Sequence, residues 1–509
     1  MITRRWFLKK PMPTTCTVWR SMLLSATVAL MVAGLTSPSV AKSAAPNIIL
    51  CMADDQGWGD VGYYGKSIAQ TPVLDEMAST SLRFDRFYAA CPVCSPTRGS
   101  VLTGRHPNRF ACFEWGHSLR PQEVTIAEAL KQAGYTTGHF GKWHLGSVNA
   151  RSDVNPGASG FDEWFSSPNF FDLDPLMSDK GRVVRTQGEG SEVTAEAAIN
   201  FMRFCSKSKQ PFLAVVWFGS PHNPHFALDK DRHLYADQPE ALQHYYGEIT
   251  AMDRSIGMLR DELRQLNIAD NTLFWYTSDN GPQGPLSKNR PGSSGGLRDR
   301  KNTLWEGGIR VPTIIEWPAR IPQHRITSVP ANTVDIYPTL LDIVGVDVAN
   351  QPKPLDGISI LPLIDGEMTE RSRPMGFWSN FSRGTGMNSP KILEALEQAQ
   401  ASSKTTQTLL NDRTTRQARI ADHLKLFAER GLIGQAAWID NRYKLHRTWN
   451  RKTEEVGHEL YDLEADATES HNLATGMPDR VTTMKQELTA WQQSVIRSLE
   501  GADYTVANE

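Results

Sequence analysis

Asn47-Ile48-Ile49-Leu50-Cys51-Met52-Ala53-Asp54-Asp55 is an unbroken apolar run that stops on two carboxylates. Such a run, without polar alternation, reads as a strand buried on both faces, the pattern of a parallel sheet covered by helices. In open α/β sheets ligands gather at the carboxyl ends of the strands, so Asp54 and Asp55 stand where a site is expected. The construction recurs. Residues 136–141 lead into Lys142-Trp143-His144, residues 212–218 into Ser220-Pro221-His222, and residues 272–277 into Ser278-Asp279-Asn280-Gly281. Amphipathic helical stretches lie between them, at residues 125–133, 193–205 and 241–266. The alternation predicts an α/β fold with a large, mostly parallel sheet sandwiched by helices.

The composition changes near residue 377. Residues 391–430 are polar, helix-prone and poor in aromatics, and read as an inserted helical hairpin. Short strands near residues 436–440, 443–447 and 459–463, with an amphipathic helix over 479–499, complete a smaller C-terminal α+β subdomain. The expected division is a targeting segment over 1–45, a catalytic domain over 46–376 and the C-terminal subdomain over 377–509.

The N-terminus predicts export. Arg4, Arg5, Lys9, Lys10 and Arg20 precede an uncharged apolar run over 22–35, followed by small-residue cleavage candidates at Ser39-Val40-Ala41 and Ser43-Ala44-Ala45. The run is shorter than the roughly 20 residues a stable membrane span needs. Thr3-Arg4-Arg5-Trp6-Phe7-Leu8-Lys9 is similar to a twin-arginine signal, an alternative to ordinary secretion. The expected location is periplasmic or extracellular.

With 54 Lys+Arg against 56 Asp+Glu the net charge is -2, so no global field recruits nucleic acid or an anionic membrane. Of the six cysteines, Cys16 falls in the targeting segment and Cys51 in an apolar strand. Cys91, Cys94, Cys112 and Cys205 complete the set; an exported chain permits disulfides among them but the sequence does not demand any. Cys91-x-x-Cys94 has no second pair and no redox-type surroundings, which argues against a zinc or thiol-exchange site.

Three of the strand ends carry hard oxygen ligands or basic groups. Asp54, Asp55, Asp279 and Asn280 suit Ca²⁺, or less well Mg²⁺, rather than zinc. Three carboxylates brought together repel, and a divalent cation would neutralise them. Lys142 and His144 alternate, so extended geometry would point both to one side with Trp143 away. His222 and Lys301, taken singly, read as a loop histidine and a solvated lysine.

Cys94-Ser95-Pro96-Thr97-Arg98-Gly99-Ser100-Val101-Leu102-Thr103-Gly104-Arg105 joins these fragments. Cysteine followed by Pro at +2, Arg at +4 and Leu-Thr-Gly-Arg at +8 to +11 resembles the signature of the type I, formylglycine-dependent sulfatases, arylsulfatase-like enzymes. The resemblance runs from about Asn47 to Leu473, except for residues 391–430, and Thr97 stands where the family more often has Ser.

The resemblance implies an alkaline-phosphatase-like fold and a sulfuric ester hydrolase. It implies that a maturation enzyme oxidises Cys94 to formylglycine (3-oxoalanine), whose hydrate attacks sulfur. Asp54, Asp55, Asp279 and Asn280, with the modified Cys94, become the calcium ligands. Arg98 and Lys142 hold the hydrate, His144 is the base on its second hydroxyl, and His222 and Lys301 contact the sulfate and protonate the leaving oxygen; Lys142 also faces the substrate. The alternatives are a phosphoester or phosphonate hydrolase on the same scaffold, or a non-catalytic glycan-binding relative.

For the substrate, a sulfated sugar or polysaccharide is preferred over a steroid, because no membrane-inserting hairpin is visible. The loop over 280–300, with Lys288, Arg290, Arg298 and Arg300, suggests a basic rim for a polyanion. Residues 109–113, Arg-Phe-Ala-Cys-Phe, are expected to help shape the substrate pocket.

Overall fold

The computed structural model describes residues 45–504, apart from 66, 285–290, 380–381 and 402–411. The expected targeting segment up to residue 44, with Cys16, and the loop residues Lys288 and Arg290 lie outside the described residues. Among the described residues, no helix is long and apolar enough to cross a membrane.

Eleven strands form the main sheet: β1 (Asn47–Ala53), β2 (Leu82–Tyr88), β3 (Thr136–Lys142), β4 (Glu163–Ser167), β5 (Leu176–Asp179), β6 (Arg182–Arg185), β7 (Phe212–Trp217), β8 (Thr272–Ser278), β9 (Arg310–Glu316), β10 (Arg325–Thr327) and β11 (Ala331–Asn332). The order is β10-β2-β9-β8-β1-β7-β3-β4-β5-β6, with β11 also on β2. β8, β1, β7, β3 and β4 are mutually parallel, whereas β9 runs against β8 and β2, and β5 and β6 alternate. The sheet is therefore mixed and mostly parallel at its centre, as the sequence implies.

Register decides where the site falls. Ala53 pairs with Ser278, Met52 with Trp217, and Gly141 with Trp217, so the four strand ends read from the sequence finish side by side. Alternate residues of β1 feed opposite cores. Ile48, Leu50 and Met52 pack with Leu130, Trp143 and Leu340, while Ile49, Cys51 and Ala53 pack with Met77, Met202 and Leu259. This two-sided burial makes the run continuously apolar. The helix Ile126–Gln132 begins with a capping box, Thr125 accepting from the Glu128 N–H while Glu128 accepts from the Thr125 N–H.

A second, antiparallel sheet has the order β12 (Met375–Ser379), β13 (Gln435–Asp440), β14 (Tyr443–Trp449), β15 (Val456–Asp462). One face packs on the helix Pro478–Leu499; the other covers Tyr88, Leu304, Trp305 and Ile309 of the main body. Both sheets belong to one compact unit, residues 44–509. The insertion forms two helices, Ser389–Ala401 and Asp412–Arg430. Its Asp412 accepts from the Ser147 N–H at 2.9 Å, and Arg416 donates to the Leu119 carbonyl at 3.0 Å.

Two expectations are corrected here. Arg109 does not shape a pocket: it is buried, and its guanidinium forks onto Asp356 at 2.7 and 2.8 Å and reaches Ser494 and Ser498 of the C-terminal helix. Residues 109–113 are all buried, as the site residues are, and it is Arg109 whose partners tie it to the C-terminal helix. Of the expected basic rim, Lys288 and Arg290 lie outside the described residues, and the two described arginines are engaged by the protein's own groups. Arg300 is 4 % exposed and donates to the Pro291 and Gly292 carbonyls; Arg298 lies on the Trp305 ring and donates to Tyr461. Loop arginines attract such backbone and aromatic partners, which a local reading cannot see. The described cysteines, Cys51, Cys91, Cys94, Cys112 and Cys205, are all free and buried.

Candidate active site

Cys94 is the first residue of the helix Cys94–Thr103, every residue of which is buried. A helix N-terminus offers unpaired N–H groups and a positive dipole end, favourable for negative charge at residue 94. Thr97 fills its signature slot with a hydroxyl that donates to the Cys91 carbonyl at 2.8 Å, fixing the approach to the helix. Burial pushes the Cys94 thiol above its usual range, with Lys142 and Lys301 pulling the other way.

The acidic residues gather as their strand ends require. Donor atoms of Asp54, Cys94 and Asp279 lie within 4.8 Å of one another, as do those of Asp54, Asp55 and His222. Asp55 turns into the left-handed region, φ 64°, where its N–H meets Asp279 Oδ1 at 3.0 Å. Asn280 Nδ2 donates to Asp55 Oδ1 at 2.7 Å, which leaves Asn280 Oδ1 buried without a partner, as is Asp54 Oδ1. Two buried oxygens without a hydrogen bond, in a set of four hard-ligand side chains, fit a divalent oxygen-seeking cation such as Ca²⁺.

Each carboxylate also faces a cation. Lys142 Nζ donates to Asp54 Oδ2 at 2.6 Å, Lys301 Nζ to both oxygens of Asp55 at 2.6 and 2.7 Å, and Arg98 Nη2 to Asp279 Oδ2 at 2.7 Å. Against burial, which raises a carboxyl, Lys301 holds Asp55 well below the carboxylate range. Burial and the nearby Asp54 push Asp279 up. Lys301 is held above the usual lysine range, burial being outweighed by Asp55, so it stays charged.

The alternation argument for Lys142 and His144 fails in detail. β3 ends at Lys142, and His144 has φ 54°, so no extended strand carries both. The left-handed turn nevertheless places His144 among Lys142, Arg98, His222 and Lys301; burial first, then the charges of Lys142, Arg98 and Lys301, keep the imidazole neutral. Both of its ring nitrogens are buried without a partner. Gly141 serves the same turn: φ is 97°, and a Cβ there would stand 2.0 Å from the Trp217 carbonyl oxygen.

His222 lies 3.7 Å from Asp55 and is 14 % exposed, at the open side of the cluster. Burial lowers it to about 3, against the pull of Asp55. Phe170 stacks on its ring at 4.4 Å. The structure thus brings together every site residue expected from the sequence: Asp54, Asp55, Cys94, Arg98, Lys142, His144, His222, Asp279, Asn280 and Lys301.

Sequence reasoning missed three neighbours. Phe170 follows the short strand β4, too brief to announce itself. Glu114 is pushed up to about 7 by burial, with Lys301 opposing. His225, lowered to about 4 by burial, faces Asp172 and Asp55; the second His in Ser220-Pro221-His222-Asn223-Pro224-His225 was its signal. Beside His222 opens a cavity of about 940 Å³ lined by Phe170, Asp172, Gln187, Pro224 and Asn388, with Glu394 from the insertion.

A family model described as Sulfatase matches residues 46–346. N-acetylgalactosamine-6-sulfatase of Canis lupus familiaris is 33% identical over 393 residues, 70% of this chain and 72% of its own. Arylsulfatase G of Rattus norvegicus is 31% identical over 401 residues, covering 67% and 74%. The crystal structure of Ps i-CgsB in complex with k-i-k-neocarrahexaose superposes with a TM-score of 0.71 at 25% identity, covering 88% of this chain and 92% of that one.

Proposed function

The chain belongs to the sulfatase family, and from that premise we propose that it removes sulfate from a sulfated saccharide outside the cytoplasm, using formylglycine made from Cys94 and a calcium ion. One observation carries the reading. Four hard-ligand side chains and three cations converge on the buried N-terminus of the helix that begins at Cys94.

Formylglycine would supply a geminal diol as nucleophile, and calcium held by Asp54, Asp55, Asp279, Asn280 and residue 94 would supply Lewis-acid polarisation of the sulfate oxygens. The protein does the rest. Asp54, Asp55 and Asp279 balance Arg98, Lys142 and Lys301 charge for charge, so a bound dication leaves the site positive toward a sulfate monoester anion. Arg98 and Lys142 stabilise negative charge on the oxygen of residue 94, within a site that excludes water. His144, neutral and with both nitrogens open, takes a proton from the second hydroxyl. His222 and Lys301 flank the sulfate, and Lys301, the charged one of the two, gives its proton to the alcohol oxygen as the bond from that oxygen to sulfur breaks. An ordinary serine ester has no second hydroxyl with which to release sulfate, which is a chemical reason for an aldehyde.

The cavity beside His222, about 940 Å³, accommodates more than a single small alcohol, which supports a saccharide leaving group. The basic, uncharged-core and small-residue pattern of the first 45 residues supports export. The deciding experiment assays matched sulfate, phosphate and phosphonate esters, including sulfated mono- and oligosaccharides. Sulfate esters should be preferred by orders of magnitude; a preference for phosphate or phosphonate defeats the proposal.

A further inference from the structure

Lys301 sits in a segment, residues 298–308, that is held from two sides. On the inner side it is bound to the site by backbone. The Lys301 N–H donates to the Pro282 carbonyl at 3.1 Å, Asn302 N–H to Pro92 at 2.9 Å, and Gly281 N–H to Gly308 at 2.9 Å. The approach is close enough that a Cβ on Gly281 would stand 1.9 Å from the Gly307 oxygen. One segment therefore touches the strand end carrying Asp279 and Asn280, the lead-in to Cys94, and Asp55 through Lys301 itself.

On the outer side the C-terminal sheet grips the same segment. The Arg298 guanidinium lies 3.4 Å from the centre of the Trp305 ring and donates to the Tyr461 hydroxyl and the Glu469 carbonyl, each at 3.0 Å. The Trp305 ring also meets His446, at 3.8 Å between ring centres, and the edge of Tyr461, at 5.8 Å. Glu306 N–H donates to Glu469 Oε2 at 2.7 Å, and Lys444 Nζ lies 3.1 Å from Glu306 Oε1 and 2.8 Å from Glu469 Oε1. Lys444 and His446 are two apart on β14, on one face, and Lys444 pairs with Tyr461 of β15.

The Lys444 and Glu306 side chains are 0% exposed. Apolar residues of similar volume would often stabilise such a place at least as well, so a buried charge cluster is poorly explained by stability alone. Directional, short-range bonds do fix geometry. We propose that the C-terminal sheet is a clamp that sets the position of Lys301, with Lys444, His446 and Glu469 as positioning residues acting through Arg298, Trp305 and Glu306. The proposal rests on the role given to Lys301 above, protonation of the leaving oxygen. A loosened clamp therefore hurts poor leaving groups most, whereas simple unfolding removes active molecules and lowers every rate by one factor.

The experiment measures kcat/KM for a series of aryl sulfates of increasing phenol pKa in the wild type, Arg298→Gln, Lys444→Met and Lys301→Ala, with the folded fraction of each from thermal unfolding. Arg298 is partly exposed, so Arg298→Gln keeps the test alive if Lys444→Met does not fold. Expected is a loss of about tenfold or more for the worst leaving group in Arg298→Gln and Lys444→Met, about threefold or less for the best, and a still steeper dependence in Lys301→Ala. A steepened Lys301→Ala with both clamp variants parallel to wild type overturns the clamp alone. An unchanged dependence in Lys301→Ala overturns the role of Lys301 itself, and the clamp with it.

Discussion

Lys142 reaches Asp54 across 88 positions of sequence and bonds it at 2.6 Å with both side chains fully buried. Burying two charges is tolerated only when each has a close opposite partner, and removing one leaves the other stranded. Asp54→Asn should therefore cost about 3–5 kcal/mol of stability, because Lys142 loses its counter-charge. On the proposed function the same change also removes a metal ligand. Calcium at a hundred times its Kd should stabilise the wild type by about 2.7 kcal/mol. Thermal unfolding with and without chelator checks both; an equal calcium response in Asp54→Asn would remove Asp54 from the ligand set.

Cys94→Ala should abolish turnover, by at least about 10³-fold, and leave the unfolding temperature within a few degrees, since the lost sulfur is one small group. The peptide containing residue 94 in active wild type should be lighter by one H₂S-for-O exchange. Fully active protein with an intact thiol there would falsify the aldehyde mechanism.

Much of this site was legible because apolar runs announce β1, β7 and β8, and their polar terminal residues follow directly; β3, Thr136–Lys142, carries Thr, Gly and His and was read from its polar end. Other strands were not. β2 interleaves Arg83, Asp85 and Arg86, β9 carries Pro312, and β5 and β6 span four residues each. Their pairing is fixed by neighbours distant in sequence. His144 reached the site through a left-handed turn rather than strand alternation, and nothing local distinguishes those two routes. The arginines at 298 and 300 looked solvated because their partners, Tyr461 and the Pro291 and Gly292 carbonyls, are chosen by tertiary packing and loop closure.

Arg109→Met should act on stability and not on substrate. Asp356, held well below the carboxylate range by Arg109 against burial, would lose its fork, at a cost of about 3 kcal/mol or more. Urea unfolding should show that loss, while KM for the folded enzyme stays within about twofold of wild type. A tenfold rise in KM would restore this segment to the pocket.

His106 offers a clean pH test. It is buried, lowered by burial from 6.5 to about 3, and accepts from the Asn108 N–H through Nδ1. A depressed folded pKa means the unfolded chain takes up the proton first. Stability from neutral His106 is therefore present above pH 6.5 and drains away as pH falls toward 3. His106→Asn keeps an acceptor but cannot titrate. The stability of wild type relative to His106→Asn should fall by at most about 1.4 kcal/mol per pH unit through that window, read by urea unfolding. A pH-independent difference refutes the assignment.

Gln187→Trp places a large ring in the cavity beside His222 from an exposed position. It should raise KM for a sulfated oligosaccharide about tenfold and leave a small aryl sulfate within about twofold, since only the larger leaving group enters that space. Equal effects on both substrates would show that the saccharide leaves by another route.

The helix Cys94–Thr103 is closed to solvent along its whole length, and Cys94 itself is 1% exposed. Among the described residues of the folded chain, residue 94 is approached only from the side of His222, which is 14 % exposed. Such an opening suits a small anion, not the active site of another protein, so the oxidation proposed for Cys94 belongs before this helix packs. On that proposal a population that folds early would keep the thiol, and slowing the folding step should raise specific activity without any change in sequence.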